Sequence, residues 1–223
     1  DILATFMEYY RGSVSAKMGE VALSNLGVLF FDELPHFSKS VLEALREPLE
    51  DNKILISRVN SKILYETKFV FIGAMNPCPC GNLLSSVKEC RCNELEIQRY
   101  KNRLSEPFLD RMDLYVVMND SFSDNQNRVT SKELHQNVIK AFIKQKNRGQ
   151  SELNGKLSDD EIAKYCILDD ESKDILEKAR INYQLSFRSV NKVLKVARTI
   201  ADLNDNELIT KKDLLQSLNF RRR

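Results

Sequence analysis

The sequence lacks any apolar run approaching the roughly 18 residues that a membrane-spanning helix requires. Its first residues also lack the basic segment and the following apolar segment of a secretory signal. These two absences lead us to expect a cytoplasmic protein with no membrane partner. The sequence begins with Asp1 rather than Met, so we expect a fragment or a processed piece of a longer protein.

The sequence also lacks an excess of one charge, because 34 Lys and Arg residues accompany 32 Asp and Glu residues. This balance neither requires nor excludes a nucleic-acid partner, so such binding would have to come from local patches. Histidine is scarce as well. His36 and His135 are the only two in the chain, and we assign neither a catalytic role, because a lone histidine is more often structural.

The most informative segment is an apolar run, Val28 to Phe31, that stops at two adjacent carboxylates, Asp32 and Glu33. The run does not alternate with polar residues, so it predicts a central parallel strand covered on both faces. Ligands of open α/β sheets bind at the carboxyl ends of such strands. An Asp there suits Mg²⁺ on nucleotide phosphates, and a Glu beside it can polarise an attacking water, as in a Walker B motif. A helix cap, with Pro35 opening the next helix, is the alternative.

The rest of the chain divides into an α/β part and a helical part. Ser38 can cap a helix over about residues 39–50. Further along we predict a hairpin of strands Lys53 to Ser57 and Ile63 to Thr67. We also predict buried strands from Phe69 to Met75 and from Leu114 to Met118. Between these two strands lie an irregular Cys-rich loop over 77–93 and a helix over about 94–104. Residues 119–128 are mostly Asn, Asp and Ser, which indicates a hinge. Everything after the hinge has helical periodicity, with capping-box spacing at Ser158 to Glu161 and at Thr210 to Asp213.

Three further residues are candidates for the nucleotide chemistry that Asp32 and Glu33 suggest. Asn76 closes the second buried strand and would lie beside Asp32 if the two strands are neighbours. Arg111 precedes the third predicted strand, and Arg188 opens a helix beyond the hinge. An amide can orient the attacking water, and cations can offset charge on the transferring phosphoryl group. A solvated or salt-bridged surface residue is the alternative for each arginine.

Four of the five cysteines are clustered in the predicted irregular loop, in the pattern Cys78-x-Cys80-x9-Cys90-x-Cys92. Four thiolates match a closed, tetrahedral structural Zn²⁺ site that would hold a loop too polar to form a core. Disulfides and free thiols are the alternatives, although a cytosolic protein keeps its thiols reduced. Cys166 has apolar neighbours on a predicted helix, so we expect it to be a core residue.

Longer blocks of sequence carry a family resemblance, namely residues 19–37, 45–50, 56–58, 74–81, 99–113, 185–188 and 194–202. These blocks resemble the magnesium-chelatase-like AAA+ ATPases, in particular their ComM (YifB) branch, over about residues 15–220. The resemblance implies an α/β fold in which a partial AAA+ P-loop NTPase core, a parallel sheet with a pre-sensor-1 hairpin, is followed by an all-α lid domain. The implied boundaries are 1–118 for the core, 119–130 for the hinge and 131–223 for the lid.

The resemblance also implies roles for individual residues. Asp32 and Glu33 match Walker B, Asn76 matches sensor 1, Arg111 matches an arginine finger, and Arg188 matches sensor 2. ATP and Mg²⁺ would be the ligands, and an arginine acting between subunits implies a homo-hexamer. The hairpin cations Arg58 and Lys62 resemble those of a pre-sensor-1 hairpin that touches DNA, and cations at a hairpin tip can grip phosphates of any sequence. A solvated turn is the alternative.

The chain departs from the family in one large respect, because no Gly-x-x-x-x-Gly-Lys-Ser/Thr motif occurs. The family's Lon-like amino-terminal domain is not present either, and residues 1–14 match poorly. We therefore expect this chain by itself to be monomeric and to lack ATPase activity, while its parent protein is an ATPase.

Three functions follow from these observations. The first is a hexameric, ATP-driven DNA motor, similar to the branch-migration helicases of natural transformation. The second is a chelatase or chaperone-type AAA+ protein remodeller that uses the same nucleotide site. The third is a non-enzymatic helical interaction module stapled by zinc.

Overall fold

The computed structural model describes residues 19–58, 61–118 and 129–221. The chain forms two compact units, one ending at Met112 and the other beginning at Asp113. The helical pattern of residues 1–11 and the hinge segment 119–128 lie outside the described residues. None of the helices in the described ranges combines the length and apolarity needed to cross a bilayer.

The first unit contains short helices, a hairpin and a small parallel sheet. Its elements are α1 (Glu20–Leu23), β1 (Val28–Phe31), a 3₁₀ turn (Leu34–His36), α2 (Lys39–Ala44), α3 (Arg46–Asp51), β2 (Lys53–Arg58), β3 (Ser61–Glu66), β4 (Val70–Gly73), α4 (Glu94–Lys101) and α5 (Glu106–Leu109). Strands β1 and β4 pair in parallel, with Val28 opposite Val70 and Phe31 opposite Gly73. Strands β2 and β3 form the predicted antiparallel hairpin.

Only one face of the parallel sheet is covered by the described residues. Leu29 and Phe31 are buried, whereas Val28 is 58% and Phe30 54% exposed. On the covered face, the Phe31 ring contacts the rings of Phe37 and Phe71, with centroids 4.4 and 5.6 Å away. The prediction of a strand covered on both faces is therefore wrong for the described chain, because its helices and aromatic side chains pack on one side.

Two other sequence predictions are corrected by the fold. The predicted helix over 39–50 is capped by Ser38, whose Oγ accepts from the Val41 N–H at 3.4 Å, but it breaks into α2 and α3 at Leu45. The break has a simple cause, since Pro48 has no N–H to donate to the carbonyl of Ala44. Residues 114–118 are not a strand. The N–H of Tyr115 instead donates to the carbonyl of Phe220 at 2.8 Å, within the second unit.

The regular structure described in the second unit is helical, apart from an isolated bridge between Leu168 and Ile209. Its elements are α6 (Ser131–Asn147), a 3₁₀ turn (Asn154–Lys156), α7 (Asp159–Tyr165), α8 (Asp170–Asn182), α9 (Phe187–Leu203) and α10 (Lys211–Asn219). The capping boxes predicted at Ser158 and Thr210 are confirmed. Cys166 lies in the apolar core as expected, and burial raises the pKa of its thiol to about 11.

A buried ionic network holds α9 to its neighbours in the second unit. Arg198 and Asp202, one turn apart on α9, are 1% and 2% exposed, and their side chains pair at 2.9 Å. Asp202 also accepts from Arg148, at the end of α6, and from Asn154 Nδ2 at 2.8 Å. Arg198 donates to the carbonyls of Asn206 and Glu207, both at 2.6 Å. The network therefore ties four segments together without leaving the Asp202 carboxylate unpaired.

We expect Asp202→Asn to lower the free energy of unfolding by about 3 kcal/mol, because removing one charge of a buried ionic network leaves the other charges uncompensated. Urea denaturation measures this loss. Asp205→Asn is the matched control, since the Asp205 side chain is 86% exposed and pairs with Lys144 at the surface. The control protein should unfold close to the wild-type midpoint, and equal effects of the two changes would contradict the role of the network.

Candidate functional site

The carboxyl ends of β1 and β4 are joined by the backbone of Ala74. The Ala74 N–H donates to the carbonyl of Phe31 at 2.8 Å, and the Ala74 carbonyl accepts from the Leu34 N–H at 2.9 Å. Ala74 thus bonds both to Phe31 and to Leu34. Asp32 and Glu33, which lie between those two residues in the chain, form a two-residue turn at the end of β1. Asn76 follows two residues after Ala74. The structure therefore brings Asp32, Glu33 and Asn76 to one edge of the parallel sheet, where all three are exposed.

The backbone of Glu33 is held in an unusual conformation. Its φ and ψ are 50° and 44°, in the left-handed region that non-glycine residues rarely occupy. Asp32 Oδ1 accepts from the Glu33 N–H at 2.8 Å, and the Glu33 carbonyl accepts from the His36 N–H at 2.8 Å. Strain of this kind persists only where the surrounding structure determines it, and it is concentrated at functional sites.

Leu34 and Gly73 fix the turn that carries Glu33. Leu34 is buried beneath the turn, and a Cβ on Gly73 would come within 2.9 Å of Leu34 Cδ2. A glycine at the end of β4 therefore lets the Leu34 side chain approach the sheet closely. The turn is anchored at this point by packing as well as by the hydrogen bonds of Ala74.

Helix α4 packs against the same edge through Tyr100, which is 6% exposed. The Tyr100 ring meets the His36 ring edge-on, with centroids 6.4 Å apart. Burial raises the pKa of the Tyr100 hydroxyl, against the opposing effect of the Asn76 backbone, and the nearby charge of Glu33 adds to the rise. Tyr100 was not predicted from the sequence, since nothing in its spacing separates it from an ordinary core tyrosine.

The four clustered cysteines have the geometry of a metal site. Their Sγ atoms all lie within 4.8 Å of one another, and Cys78 Sγ is 3.5 Å from Cys80 Sγ and 3.7 Å from Cys90 Sγ. A tetrahedron of sulfurs about 2.3 Å from Zn²⁺ has edges of about 3.8 Å. Gly81, with φ of 80°, supplies the predicted tight turn. All five cysteines lie in the described ranges and are free thiols, so the disulfide alternative is not formed.

The electrostatics of the cluster favour a bound cation. The backbone N–H groups of Asn82 and Arg91 lower the pKa of the Cys80 thiol to about 6. Burial, together with the neighbouring thiols of Cys78 and Cys80, raises the pKa of Cys92 to about 12. Thiols that share so small a space cannot all ionise without a compensating positive charge. These residues therefore fit a metal ion such as Zn²⁺.

The predicted arginines and hairpin cations lie in different surroundings. Arg111, just after α5, pairs with Glu50 and donates to the carbonyl of Pro107, and its side chain is only 12% exposed. Arg188 lies in the second unit, exposed on the first turn of α9. On the hairpin, Lys62 is exposed and its backbone pairs with Ser57. Residues 59 and 60, and the side chain of Arg58, lie outside the described part of the hairpin.

Comparison with known protein families assigns the chain. The model of the family described as "Magnesium chelatase, subunit ChlI" matches residues 9–126, and that described as "Magnesium chelatase, subunit ChlI C-terminal" matches residues 128–221. The chain belongs to the magnesium-chelatase family.

Similar proteins within the magnesium-chelatase family place the chain in the ComM and YifB branch. Competence protein ComM of Haemophilus influenzae is 40% identical over 215 residues, which are 94% of this chain and 42% of that protein. Uncharacterized protein YifB of Escherichia coli is 39% identical over 211 residues, covering 91% of this chain and 40% of that protein. The chain thus spans about two fifths of these relatives, and the family resemblance predicted from the sequence blocks is confirmed.

We expect Glu33→Gly to raise the free energy of unfolding by about 0.5–1 kcal/mol, because glycine adopts a left-handed conformation without steric cost. Glu33→Gln is the matched control, since it removes the charge but keeps the strained backbone. Urea denaturation compares the two proteins. A Glu33→Gly protein no more stable than the Glu33→Gln protein would show that the turn is not strained.

Proposed function

We propose that this chain is part of an ATP-driven DNA motor of the AAA+ class, located in the cytoplasm. The observation that carries the proposal is that Asp32, Glu33 and Asn76 lie at one edge of the parallel sheet, where the backbone of Ala74 is hydrogen-bonded on both sides of the acidic turn. Family membership supports ATP and Mg²⁺ as the ligands in general terms. The competence role named for the Haemophilus influenzae relative favours DNA as the substrate. The chain covers two fifths of that relative, so the activity belongs to the natural full-length protein.

Each residue of the proposed site has a chemical task. Asp32 would hold the water shell of Mg²⁺, and Glu33, which is exposed at the same edge, would accept the proton of the attacking water. The Asn76 amide orients that water. Arg188 offsets charge on the transferring phosphoryl group in the same protomer, and Arg111 does so in a neighbouring protomer of a hexamer.

The pairing of Arg111 with Glu50 adds a condition to this scheme. An arginine that acts on a neighbouring protomer has to leave its carboxylate partner, and Glu50 holds Arg111 in this structure. We therefore propose that Arg111 leaves Glu50 when the ring assembles. Arg111 would then pair with a phosphate of the nucleotide bound to the neighbouring protomer. A guanidinium suits both partners, because its planar fork matches carboxylate and phosphate geometry.

The β2–β3 hairpin is the proposed contact with DNA. It carries Arg58 and Lys62 next to its tip, and Lys62 is exposed. Cations that contact phosphates bind any nucleic-acid sequence, as a motor requires. A protein remodeller of the chelatase or chaperone type is the second candidate, since the family match is to a magnesium-chelatase subunit. It would use the same nucleotide site without a need for hairpin cations.

We expect the natural full-length protein to hydrolyse ATP faster with DNA than without it, and Arg58→Ala with Lys62→Ala to abolish this stimulation, because the hairpin loses both phosphate contacts. Steady-state ATPase assays with branched, single-stranded and double-stranded DNA measure the effect. Lys53→Ala, at the exposed base of the same hairpin, is the control and should keep the stimulation.

Two results would count against the proposal. Hydrolysis that DNA leaves unchanged, in a protein that is active on ATP, would favour the protein remodeller. Activity that survives Glu33→Gln at the wild-type rate would contradict the assignment of the nucleotide site, because an amide cannot accept the proton of the attacking water.

We also propose that Cys78, Cys80, Cys90 and Cys92 hold a structural Zn²⁺. The four sulfurs are close enough to share one ion. A closed set of four thiolates leaves no open position for substrate, so the ion would stabilise the loop and take no part in hydrolysis.

We expect the full-length protein, purified without added zinc, to contain about one zinc per chain, and Cys90→Ser to lose most of it, because three thiolates bind the ion less tightly. Elemental analysis with thiol titration measures both. Cys166→Ser is the matched control, since Cys166 lies in the core of the second unit. Less than about half an equivalent of zinc, with every thiol titratable, would favour free cysteines.

A further inference from the structure

Helix α9 carries a largely buried lysine one turn after Arg188. Lys192 follows Arg188 by four residues, so the two side chains share one face of the helix. The Lys192 side chain is only 15% exposed, and its Nζ lies 2.9 Å from Oδ1 of Asp113. Burial lowers the pKa of the Lys192 ammonium, and the charge of Asp113 opposes that fall. The carboxylate of Asp113 therefore helps this lysine to keep its charge where water is largely excluded.

Both partners of this ion pair are held by the second unit, to which both belong. Val193, the residue after Lys192, is 0% exposed in the apolar core, so α9 gives Lys192 a fixed position. The segment of Asp113 has a second attachment two residues further on, where the Tyr115 N–H donates to the carbonyl of Phe220 at 2.8 Å. The ion pair and this bond together fix the start of the second unit.

Asp113 is also close in the chain to Arg111. Only Met112 separates them, and consecutive Cα atoms are 3.8 Å apart, so the Arg111 Cα lies at most about 7 Å from that of Asp113. Arg111 itself pairs with Glu50 in the first unit. Once Arg111 leaves Glu50, as proposed for the assembled ring, the position of Asp113 limits where its guanidinium can reach.

We propose that Lys192 is a positioning residue, which holds Asp113 so that Arg111 reaches the nucleotide of the neighbouring protomer. This inference rests on the proposed ATPase function. It connects the two proposed nucleotide arginines through one helix, because α9 bears Arg188 on its first turn and Lys192 on its second. Arg188 acts on the nucleotide of its own protomer, whereas Lys192 acts on that of the neighbour through Arg111.

The first test is Lys192→Met in the natural full-length protein, which removes the ammonium and keeps an unbranched side chain. We expect kcat for ATP to fall at least about tenfold, because a misplacement of about 1 Å can cost about a hundredfold in rate. KM should stay within about twofold, since Arg111 acts on the transition state. Wild-type kcat, or a change confined to KM, would overturn the proposal.

Lys211→Met is the matched control for this test. It breaks another ion pair of the second unit, in which Lys211 Nζ lies 2.6 Å from Glu171 at the surface, and it should keep wild-type kcat. A fall in kcat as large as that of Lys192→Met would overturn the proposal, because any lost ion pair of the unit would then have the same effect.

A double-mutant cycle tests the ion pair itself. Asp113→Asn should lower kcat by a factor similar to that of Lys192→Met, because each change breaks the same contact. The double variant should lose less than about a further twofold. Independent effects that multiply would overturn the proposal.

Mixing of subunits separates an effect on the neighbour from a defect in the protomer's own site. Glu33→Gln chains are expected to be inactive but to keep Arg111 in place. Equal mixing with Lys192→Met chains should raise the rate per Lys192→Met chain about fivefold, because half of their sites then face a correctly placed Arg111. Arg111→Ala chains should gain in the same way, and Arg188→Ala chains should not. No gain for Lys192→Met would overturn the proposal.

Amide hydrogen exchange gives a readout that does not depend on hydrolysis. Lys192→Met and Asp113→Asn should each speed exchange in peptides covering residues 111–115, and leave peptides of α4 unchanged. Unchanged exchange over 111–115 would overturn the proposal. A wild-type protein that hydrolyses no ATP would refute the proposed function, and exchange would then decide alone whether Lys192 holds the segment that follows Arg111.

Discussion

The candidate site depends on two backbone hydrogen bonds made by one residue, Ala74. Its N–H bonds to the last residue of β1, and its carbonyl bonds to the first residue after the acidic turn. This arrangement forces Asp32 and Glu33 out of the sheet as a pair and places Asn76 at the same edge. Backbone hydrogen bonds do not depend on side-chain identity, so the sequence does not predict the bonds of Ala74. It shows only the two carboxylates that follow the apolar run.

The short-range features of the site were predictable from the sequence. An apolar strand that ends in carboxylates predicts the edge where Asp32 and Glu33 lie, and the end of the next apolar strand predicts Asn76. That second strand is β4, which is largely exposed in the described chain and not buried as predicted. The cysteine spacing predicts one cluster, which the sulfur positions now show. The cysteine cluster and the acidic turn depend on residues close together in the chain, where turn geometry leaves few alternatives. The meeting of Asp32 with Asn76 depends instead on the pairing of β1 with β4, which the sequence alone left conditional.

Apart from the helix over 39–50, which Pro48 interrupts locally, the predictions that failed depend on partners distant in the chain. The run 114–118 is apolar enough for a strand, but Tyr115 bonds to Phe220, at the far end of the second unit. Val28 and Phe30 have the composition of a doubly covered strand, yet the described chain covers one face. Tyr100, Glu50 and the Arg198–Asp202 network were also missed. Each acts through a contact across tens of residues, and no local pattern specifies such a contact.

The second unit contains the buried network that we expect to stabilise the fold, and the first unit contains the residues proposed to act on ATP. In the second unit a buried ionic network and an apolar core hold the helices. In the first unit the helices are short, and the exposed acidic turn is strained. The Zn²⁺ proposed at the cysteine cluster would add a constraint to this unit. The loop that would hold the ion begins directly after Asn76, next to the residues proposed to act on ATP.

The most direct test of the nucleotide site is a structure of the natural full-length protein with Mg²⁺ and a slowly hydrolysed ATP analogue. We predict Mg²⁺ with Asp32 in its coordination or water shell, and Glu33 and Asn76 facing the γ-phosphate from the edge joined by Ala74. A nucleotide bound elsewhere, with Asp32 and Glu33 facing solvent, would contradict the assignment.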